Sequence, residues 1–292
     1  MRHLNILDVI RQEVFGRWFK DQATWQAWFA FLAVLFALPM TPEQLAIYRR
    51  CTGRTEPPTQ PHRESWLVCG RRSGKSFTMS LIVMYLAVFR EWRQFLAPGE
   101  RATIMVIAAS RDQASEILQY LKAFFHDVPI LRRLIESETA DELELTNRAR
   151  IAVHSASSAR TRGFAIAVAI CDEVAFWQTD VGGANVDKEI LAAIRPGMSQ
   201  FGEHAMLLCA SSPYAKRGAL YEAHQIHFGK DGDPVLVWKA PTRAMNPTIA
   251  QAEVDKAMER DPADAMAEFM AEFRSDIQSF VQIETVRDCT TR

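Results

Sequence analysis

Three short segments hold residue types whose spacing suits chemistry on a phosphorylated ligand. The first reads Trp66-Leu67-Val68-Cys69-Gly70-Arg71-Arg72-Ser73-Gly74-Lys75-Ser76, an apolar run entering a loop of small residues. Such a loop lets successive backbone N–H groups point at phosphate oxygens, and a following helix adds the positive end of its dipole. Lys75 would reach the β- and γ-phosphates of a nucleotide and the Ser76 hydroxyl would hold Mg²⁺. The match to G-x-x-x-x-G-K-[ST] is imperfect, because Cys69 occupies the first glycine position and Gly70 comes one place later. The second segment, Ala165 to Cys171, is small and β-branched and ends in Asp172-Glu173. A run of that kind predicts a central parallel strand covered on both faces. At its end Asp172 can join the Mg²⁺ shell and Glu173 can polarise an attacking water. Carboxylates there would be too costly to bury unless a cation answered them. The third segment, Ala205 to Ala210, runs into Ser211-Ser212-Pro213, placing two hydroxyls where a γ-phosphate could be sensed. Pro213 stops that strand.

Strand–helix alternation between residues 62 and about 245 is expected to position these groups on one edge of a parallel sheet. The predicted strands are Ser65–Cys69, Ala102–Ala109, Arg150–Ser155, Ala165–Cys171, His204–Ala210 and Pro234–Ala240. Helices are expected at Lys75–Phe89, Ser110–Phe125, Asp187–Ile194 and Gly218–Gln225. Residues 1–61 read as a helical part ending in the Pro-rich connection Glu56-Pro57-Pro58-Thr59-Gln60-Pro61. Residues 246–292 read as an amphipathic helical linker broken at Asp261-Pro262. The expected fold class is thus α/β: a phosphate-loop NTPase with a mostly parallel central sheet, an N-terminal helical part and a C-terminal helical linker.

Composition narrows the partners. The 292 residues carry a net charge of −1, which argues against a permanently basic nucleic-acid wrapper. Residues 252–292 hold ten carboxylates against five Lys and Arg, while the preceding part is net positive. Near-neutrality is compatible with transient contact to DNA phosphates, as a protein that must release the backbone at every step requires. Five cysteines without Cys-x-x-Cys or Cys/His spacing suggest neither a disulfide framework nor a zinc site. A reducing cytoplasm fits that usage. The apolar run Trp28–Met40 is about 13 residues, short of the ~20 that a bilayer span needs, so a buried helix is expected and no membrane partner.

Together these residues resemble the ATPase domain of the large terminase subunit, the motor that packages DNA into tailed-phage capsids. The resemblance spans Trp25, Trp28, Phe29–Met40 and Thr41-Pro42-Glu43-Gln44, then the phosphate loop, Arg162-Gly163-Phe164 and Cys171-Asp172-Glu173-Val174-Ala175-Phe176-Trp177. Downstream it takes in Ser211-Ser212-Pro213-Tyr214-Ala215-Lys216-Arg217-Gly218 and Met245-Asn246-Pro247. It implies that Gly70, Arg71, Arg72, Ser73, Gly74, Lys75 and Ser76 bind ATP, with Ser76 and Asp172 on Mg²⁺. It implies Glu173 as catalytic glutamate and Ser211 and Ser212 as the motif coupling hydrolysis to movement. It also implies that Gln44 reads adenine and that Arg71 or Arg72 acts as a sensor or finger in cis. Arg162 would reach a neighbouring subunit's nucleotide in a homo-oligomeric ring. Double-stranded DNA, the small terminase subunit and the portal protein are the implied partners, and the host cytoplasm at the procapsid portal the place of action. The family's nuclease is not expected here, because Asp276, Glu284 and Asp288 lack the strand setting of a two-metal centre. A helicase-like translocase would need a second sheet domain with its own arginine motif, and a small-molecule kinase would need a lid and acceptor site. A nucleotide-binding module without turnover stays open.

Overall fold

The central strands are apolar on both faces, so they form a stable sheet only when helices cover each side. A computed structural model describes residues 4–158, 163–177 and 185–276 and shows that arrangement. The chain runs through α1 (Ile6–Arg11), α2 (Glu13–Gly16), α3 (Gln26–Leu35), α4 (Pro42–Thr52), β1 (Glu64–Cys69), α5 (Lys75–Phe89), β2 (Ala102–Ala108), α6 (Arg111–Asp127) and α7 (Pro129–Arg132). It continues through β3 (Ile135–Glu138), β4 (Glu142–Leu145), β5 (Ala149–Ser155), β6 (Ile166–Asp172), α8 (Val186–Met198), β7 (Met206–Ser211), α9 (Gly218–His227) and β8 (Val235–Ala240). The last elements are α10 (Thr242–Met245), α11 (Gln251–Arg260) and α12 (Pro262–Glu268). The eight strands lie in the order β3-β4-β5-β2-β6-β7-β1-β8, and the six from β5 to β8 are mutually parallel.

Alternation along each strand sorts side chains into two cores. In β1, Leu67 and Cys69 enter one and Trp66 and Val68 the other. The first core is roofed by α3, α5 and α6 through Phe31, Ile82, Leu121 and Phe125, and the second by α8 and α9 through Leu191, Ile194 and Leu220. Helix α5 starts at Lys75 and runs to Phe89 without internal Gly or Pro, as expected, and buries eleven of its fifteen residues. Helix α6 is capped by Ser110, whose side chain accepts from the Gln113 N–H at 3.3 Å. No helix among the described residues is long and apolar enough to cross a membrane.

Two departures from the expected elements have local causes. Strands β3 and β4 form an antiparallel hairpin on the β5 edge, where no strand was expected. Their segments, Ile-Glu-Ser-Glu and Glu-Leu-Glu-Leu, are half acidic, yet Leu143 and Leu145 are fully buried while Glu142 and Glu144 are not. The apolar run from Trp28 is helical only to Leu35. Ala37 takes left-handed backbone (φ 49°), the Leu38 N–H closes on the Ala33 carbonyl at 2.7 Å, and Pro39 follows.

The C-terminal segment returns to the start of the phosphate loop. A Cβ built on Gly70 would lie 2.3 Å from Thr242 Oγ1, 2.8 Å from the Glu268 carbonyl and 2.9 Å from the Phe269 carbonyl. Two of those neighbours are backbone and cannot rotate away. Gly70→Ala should therefore cost at least about 2 kcal/mol in urea unfolding, as overpacking of a closed site does. A variant within ~0.5 kcal/mol of the parent, the size of an ordinary surface change, would show that the segment is not seated there.

Candidate nucleotide site

The loop between β1 and α5 uses the left-handed region twice, at Arg72 (φ 57°) and Gly74 (φ 93°), which turns the chain sharply into the helix. The N–H groups of Ser73, Gly74, Lys75 and Ser76 find no partner among the described residues. They therefore form an N-terminal cradle of free donors at the head of a fifteen-residue helix. The back of this cradle is held by α3. Trp28, fully buried, donates its indole N–H to the Ser73 carbonyl at 2.8 Å, and its Nε1 lies 3.2 Å from where a Cβ on Gly74 would sit.

Four strand-end groups converge on Lys75. Its Nζ donates to the carbonyls of Cys69 (3.1 Å) and Gly70 (3.2 Å), reaches Ser212 Oγ at 3.4 Å and pairs with Glu173 Oε1 at 3.3 Å. Both partners of that pair are shielded, with side chains 5 % and 16 % exposed. The other carboxylate oxygen, Glu173 Oε2, accepts from Ser211 Oγ and from the Ser212 N–H, each at 3.0 Å. Glu173 itself sits in left-handed backbone (φ 50°), turning its side chain back over β7. Ser76 Oγ donates to Asp172 Oδ2 at 3.1 Å. Burial pushes the Asp172 carboxyl up to about 7, with the neighbouring Glu173 charge adding to the shift and Lys75 and Ser76 opposing it. The site thus gathers two carboxylates and one ammonium at the ends of β1, β6 and β7.

Two buried polar atoms here have no hydrogen-bond partner among the described residues: Asp172 Oδ1 and the Ser73 hydroxyl. Unmatched buried acceptors and donors are rare and costly, so the pair is informative. Asp172 and Ser76 offer hard oxygen atoms of the kind Mg²⁺ takes one or two at a time, leaving its other positions to water and phosphate. The free N–H groups and Ser73 offer donors to phosphate oxygens. The residues present fit an ATP–Mg²⁺ complex.

The remaining candidates are placed less uniformly. Arg71 turns away from the cluster and pairs with Glu268 Oε2 at 2.8 Å, while Arg72 is exposed without an ion-pair partner among the described residues. Gln44 is buried in the first turn of α4, where its Oε1 accepts from the Thr41 N–H at 3.0 Å and its own N–H donates to Thr41 Oγ1 at 3.2 Å. Those bonds close a capping box; none links Gln44 to the phosphate loop. Arg162 lies outside the described residues.

Four residues support the loop without any pattern in the sequence that assigns them there: Trp28 beneath it, and Thr242, Asn246 and Glu268 beside it. Thr242 Oγ1 donates to the Arg71 carbonyl and Asn246 Nδ2 to the Arg72 carbonyl, both at 2.8 Å, and the Arg71 N–H donates to the Glu268 carbonyl at 2.6 Å. Trp28 and Asn246-Pro247 stand out as motif residues, but nothing in their local pattern points to the loop.

The Trp28 contact yields a direct test. Trp28→Phe keeps most of the ring but leaves the Ser73 carbonyl unmatched, and a buried unmatched acceptor costs ~1–3 kcal/mol. Part of that cost should appear as disorder of the cradle, lowering affinity for a fluorescent ATP analogue three- to tenfold. Parent-like affinity in a well-folded Phe variant would show that the indole N–H does not set the loop.

The fold has counterparts among solved structures. The ATPase domain of the Thermus phage P74-26 large terminase, in a mutant form, superposes with a TM-score of 0.56 at 16 % identity, covering 83 % of this chain and 98 % of that one. The large terminase of bacteriophage HK97 gives a TM-score of 0.58 at 18 % identity over 86 % of this chain and 54 % of its own, so this chain spans about half of that protein. The large terminase of a thermophilic bacteriophage in complex with ADP gives 0.52 at 12 % identity, covering 73 % of this chain and 48 % of that one. The fold is therefore that of the large-terminase ATPase domains. No curated protein matches the chain in sequence. A family model described as the N-terminal P-loop domain of the uncharacterized protein MJ0330 matches residues 37–271, and over that span the chain belongs to this P-loop family.

Proposed function

We propose that this protein is an ATP hydrolase of the viral DNA-packaging type, the motor part of a large terminase subunit that drives double-stranded DNA into a procapsid. The observation that carries the reading is the Lys75–Glu173 pair at 3.3 Å, with Ser76 and Asp172 joined beside it at 3.1 Å. A phosphate-binding lysine, a metal-binding hydroxyl–carboxylate pair and a further carboxylate are the minimum set for hydrolysing a nucleotide. Mg²⁺ held by Ser76 and Asp172 would neutralise charge building up between the β- and γ-phosphates. Lys75 would exchange its carbonyl and carboxylate partners for phosphate oxygens. That exchange frees Glu173 Oε1 to take a proton from water while Ser211 and Ser212 keep Oε2 in place. These two bonds are the physical content of a coupling motif, since β7 feels whatever the glutamate feels.

Other roles belong to the same reading. Gln44, after release of its capping bond, would read the adenine edge. Arg71, after release from Glu268, would serve the phosphates in cis, as would Arg72. Arg162 would complete a neighbour's site in a ring. The ADP complex of the thermophilic-phage terminase supports nucleotide binding by this fold. The setting would be the host cytoplasm, with a portal and a small terminase subunit as partners.

Glu173→Gln should keep ATP affinity within a few-fold while turnover falls at least ~10²-fold, because an amide cannot accept the water's proton. Lys75→Ala should instead lose binding itself. Parent-rate hydrolysis by the Gln variant would remove Glu173 as general base. Ring function has its own readout: specific activity should rise with protein concentration, and a finger in trans contributes ~10³–10⁵ in rate. Mixing Arg162→Ala with Glu173→Gln protein should regain activity that neither shows alone. Concentration-independent turnover with no regain on mixing would place Arg162 in a purely local role.

A further inference from the structure

The loop leaving β7 carries more than the two serines. Five and six residues after the Ser211 that holds Glu173 come Lys216 and Arg217, both exposed and neither ion-paired among the described residues. Between them and the serines stands Tyr214, 37 % exposed, whose ring rests on Phe176 at 5.3 Å between centroids. Phe176 belongs to the turn that directly follows Glu173. An open cavity of about 510 Å³ runs along this face, lined by Phe176, Tyr214, Arg217, Lys188 and the start of α9.

Charge around the cavity is unevenly settled. Lys188 is neutralised by Glu222. Asp187 is occupied by N–H groups, accepting from Ala219 at 2.6 Å and from Lys188 at 2.9 Å. Among the described residues Lys216 and Arg217 are cations without an ion-pair partner, next to a phenol that can donate, while the Asp187 charge stays nearby on its N–H donors. The backbone presenting them is tied down on both sides. Ala215 bridges to Arg274 in parallel fashion, the Arg274 N–H donates to the Tyr214 carbonyl at 2.7 Å, and the Arg217 N–H donates to the Ala215 carbonyl at 2.8 Å. Gly218 then turns the chain at φ 83°, where a Cβ would meet Asp187 Oδ2 at 2.8 Å. Two cations and a tyrosine hydroxyl on a fixed loop, without an ion-pair partner among the described residues, match the groups that grip a nucleic-acid backbone without reading its bases.

We propose that Tyr214, Lys216 and Arg217 form a contact for the phosphate backbone of duplex DNA, on the same loop whose Ser211 and Ser212 hold Glu173. The proposal rests on the motor reading above and adds to it the surface that the DNA meets. A shift of Glu173 would reach the grip through five residues of one loop rather than across the molecule.

The test is binding of a fluorescein-labelled random-sequence duplex of about 30 base pairs to the full chain, followed by anisotropy over a range of salt. Lys216→Ala/Arg217→Ala should weaken binding about tenfold at low salt and reduce the slope of log K against log salt by about two, one for each phosphate left without its cation. Tyr214→Phe should weaken it by a smaller factor. ATP turnover without DNA and the melting temperature should stay at parent values. The control, Arg132→Ala/Arg133→Ala, removes two exposed cations in and just after α7, and should leave both affinity and slope nearly unchanged. If the parent binds DNA and the Lys216/Arg217 variant binds it with parent affinity and slope, the proposed grip is overturned while the motor reading stands. Equal weakening in variant and control would overturn it too, by showing only net charge at work. A parent that hydrolyses ATP yet binds no duplex would overturn the DNA part of the motor reading and this grip with it.

Discussion

The architecture depends on one buried charge balance. Asp172 and Glu173 close a strand whose every residue is buried up to the first of them, and among the described residues the cation paired with them is Lys75, brought 3.3 Å from Glu173 by a different strand and loop. Removing one partner of such a pair leaves a stranded charge, which costs ~3–5 kcal/mol. The carboxylates therefore require β1 and β6 to end at the same level of the sheet, one strand apart across β7. The serines at the end of β7 fill the space between with donors. Stability and the proposed catalysis make the same demand on this corner, because the groups that neutralise each other in the protein are those that would hold phosphate and water.

This balance also accounts for what surrounds the loop. A cradle of unpartnered N–H groups cannot hold its own shape, so neighbours hold it from behind: Trp28 of α3 on one side, Thr242, Asn246 and Glu268 on the other. The N-terminal helices and the C-terminal segment are thus joined to the loop by hydrogen bonds as well as by apolar contact. The Arg71–Glu268 pair is part of that support, and a ligand that drew Arg71 inward would loosen it.

Much of the fold was legible because the informative segments are locally self-consistent. An apolar strand, a Gly-Lys-Ser turn and a long helix without breakers predict β1, the loop and α5 from short-range pattern alone, and the β6 and β7 ends followed the same logic. The β3–β4 hairpin was missed because its glutamates outweigh its apolar residues in composition, although the alternation of Glu142-Leu143-Glu144-Leu145 was present as a strand signal. The supporting residues around the loop were not legible at all. Trp28 meets Ser73 across 45 residues, Thr242 meets Arg71 across 171 and Asn246 meets Arg72 across 174, and such pairings are decided by packing rather than by local pattern. Gln44 shows the converse: a residue proposed to read adenine is held in this structure by the capping box that its own Thr41-Pro42-Glu43-Gln44 sequence encodes.

The charge cluster at the ends of β1, β6 and β7 is proposed to be a nucleotide site. The most direct measurement is a crystal structure of the full chain with a non-hydrolysable ATP analogue and Mg²⁺. The triphosphate should lie on the N–H groups of Ser73 to Ser76, with Lys75 Nζ moved from Glu173 Oε1 onto phosphate oxygens and the metal on Ser76 Oγ and the Asp172 carboxylate. A nucleotide bound elsewhere, or bound there with the Lys75–Glu173 pair intact and no metal at Asp172, would contradict this assignment.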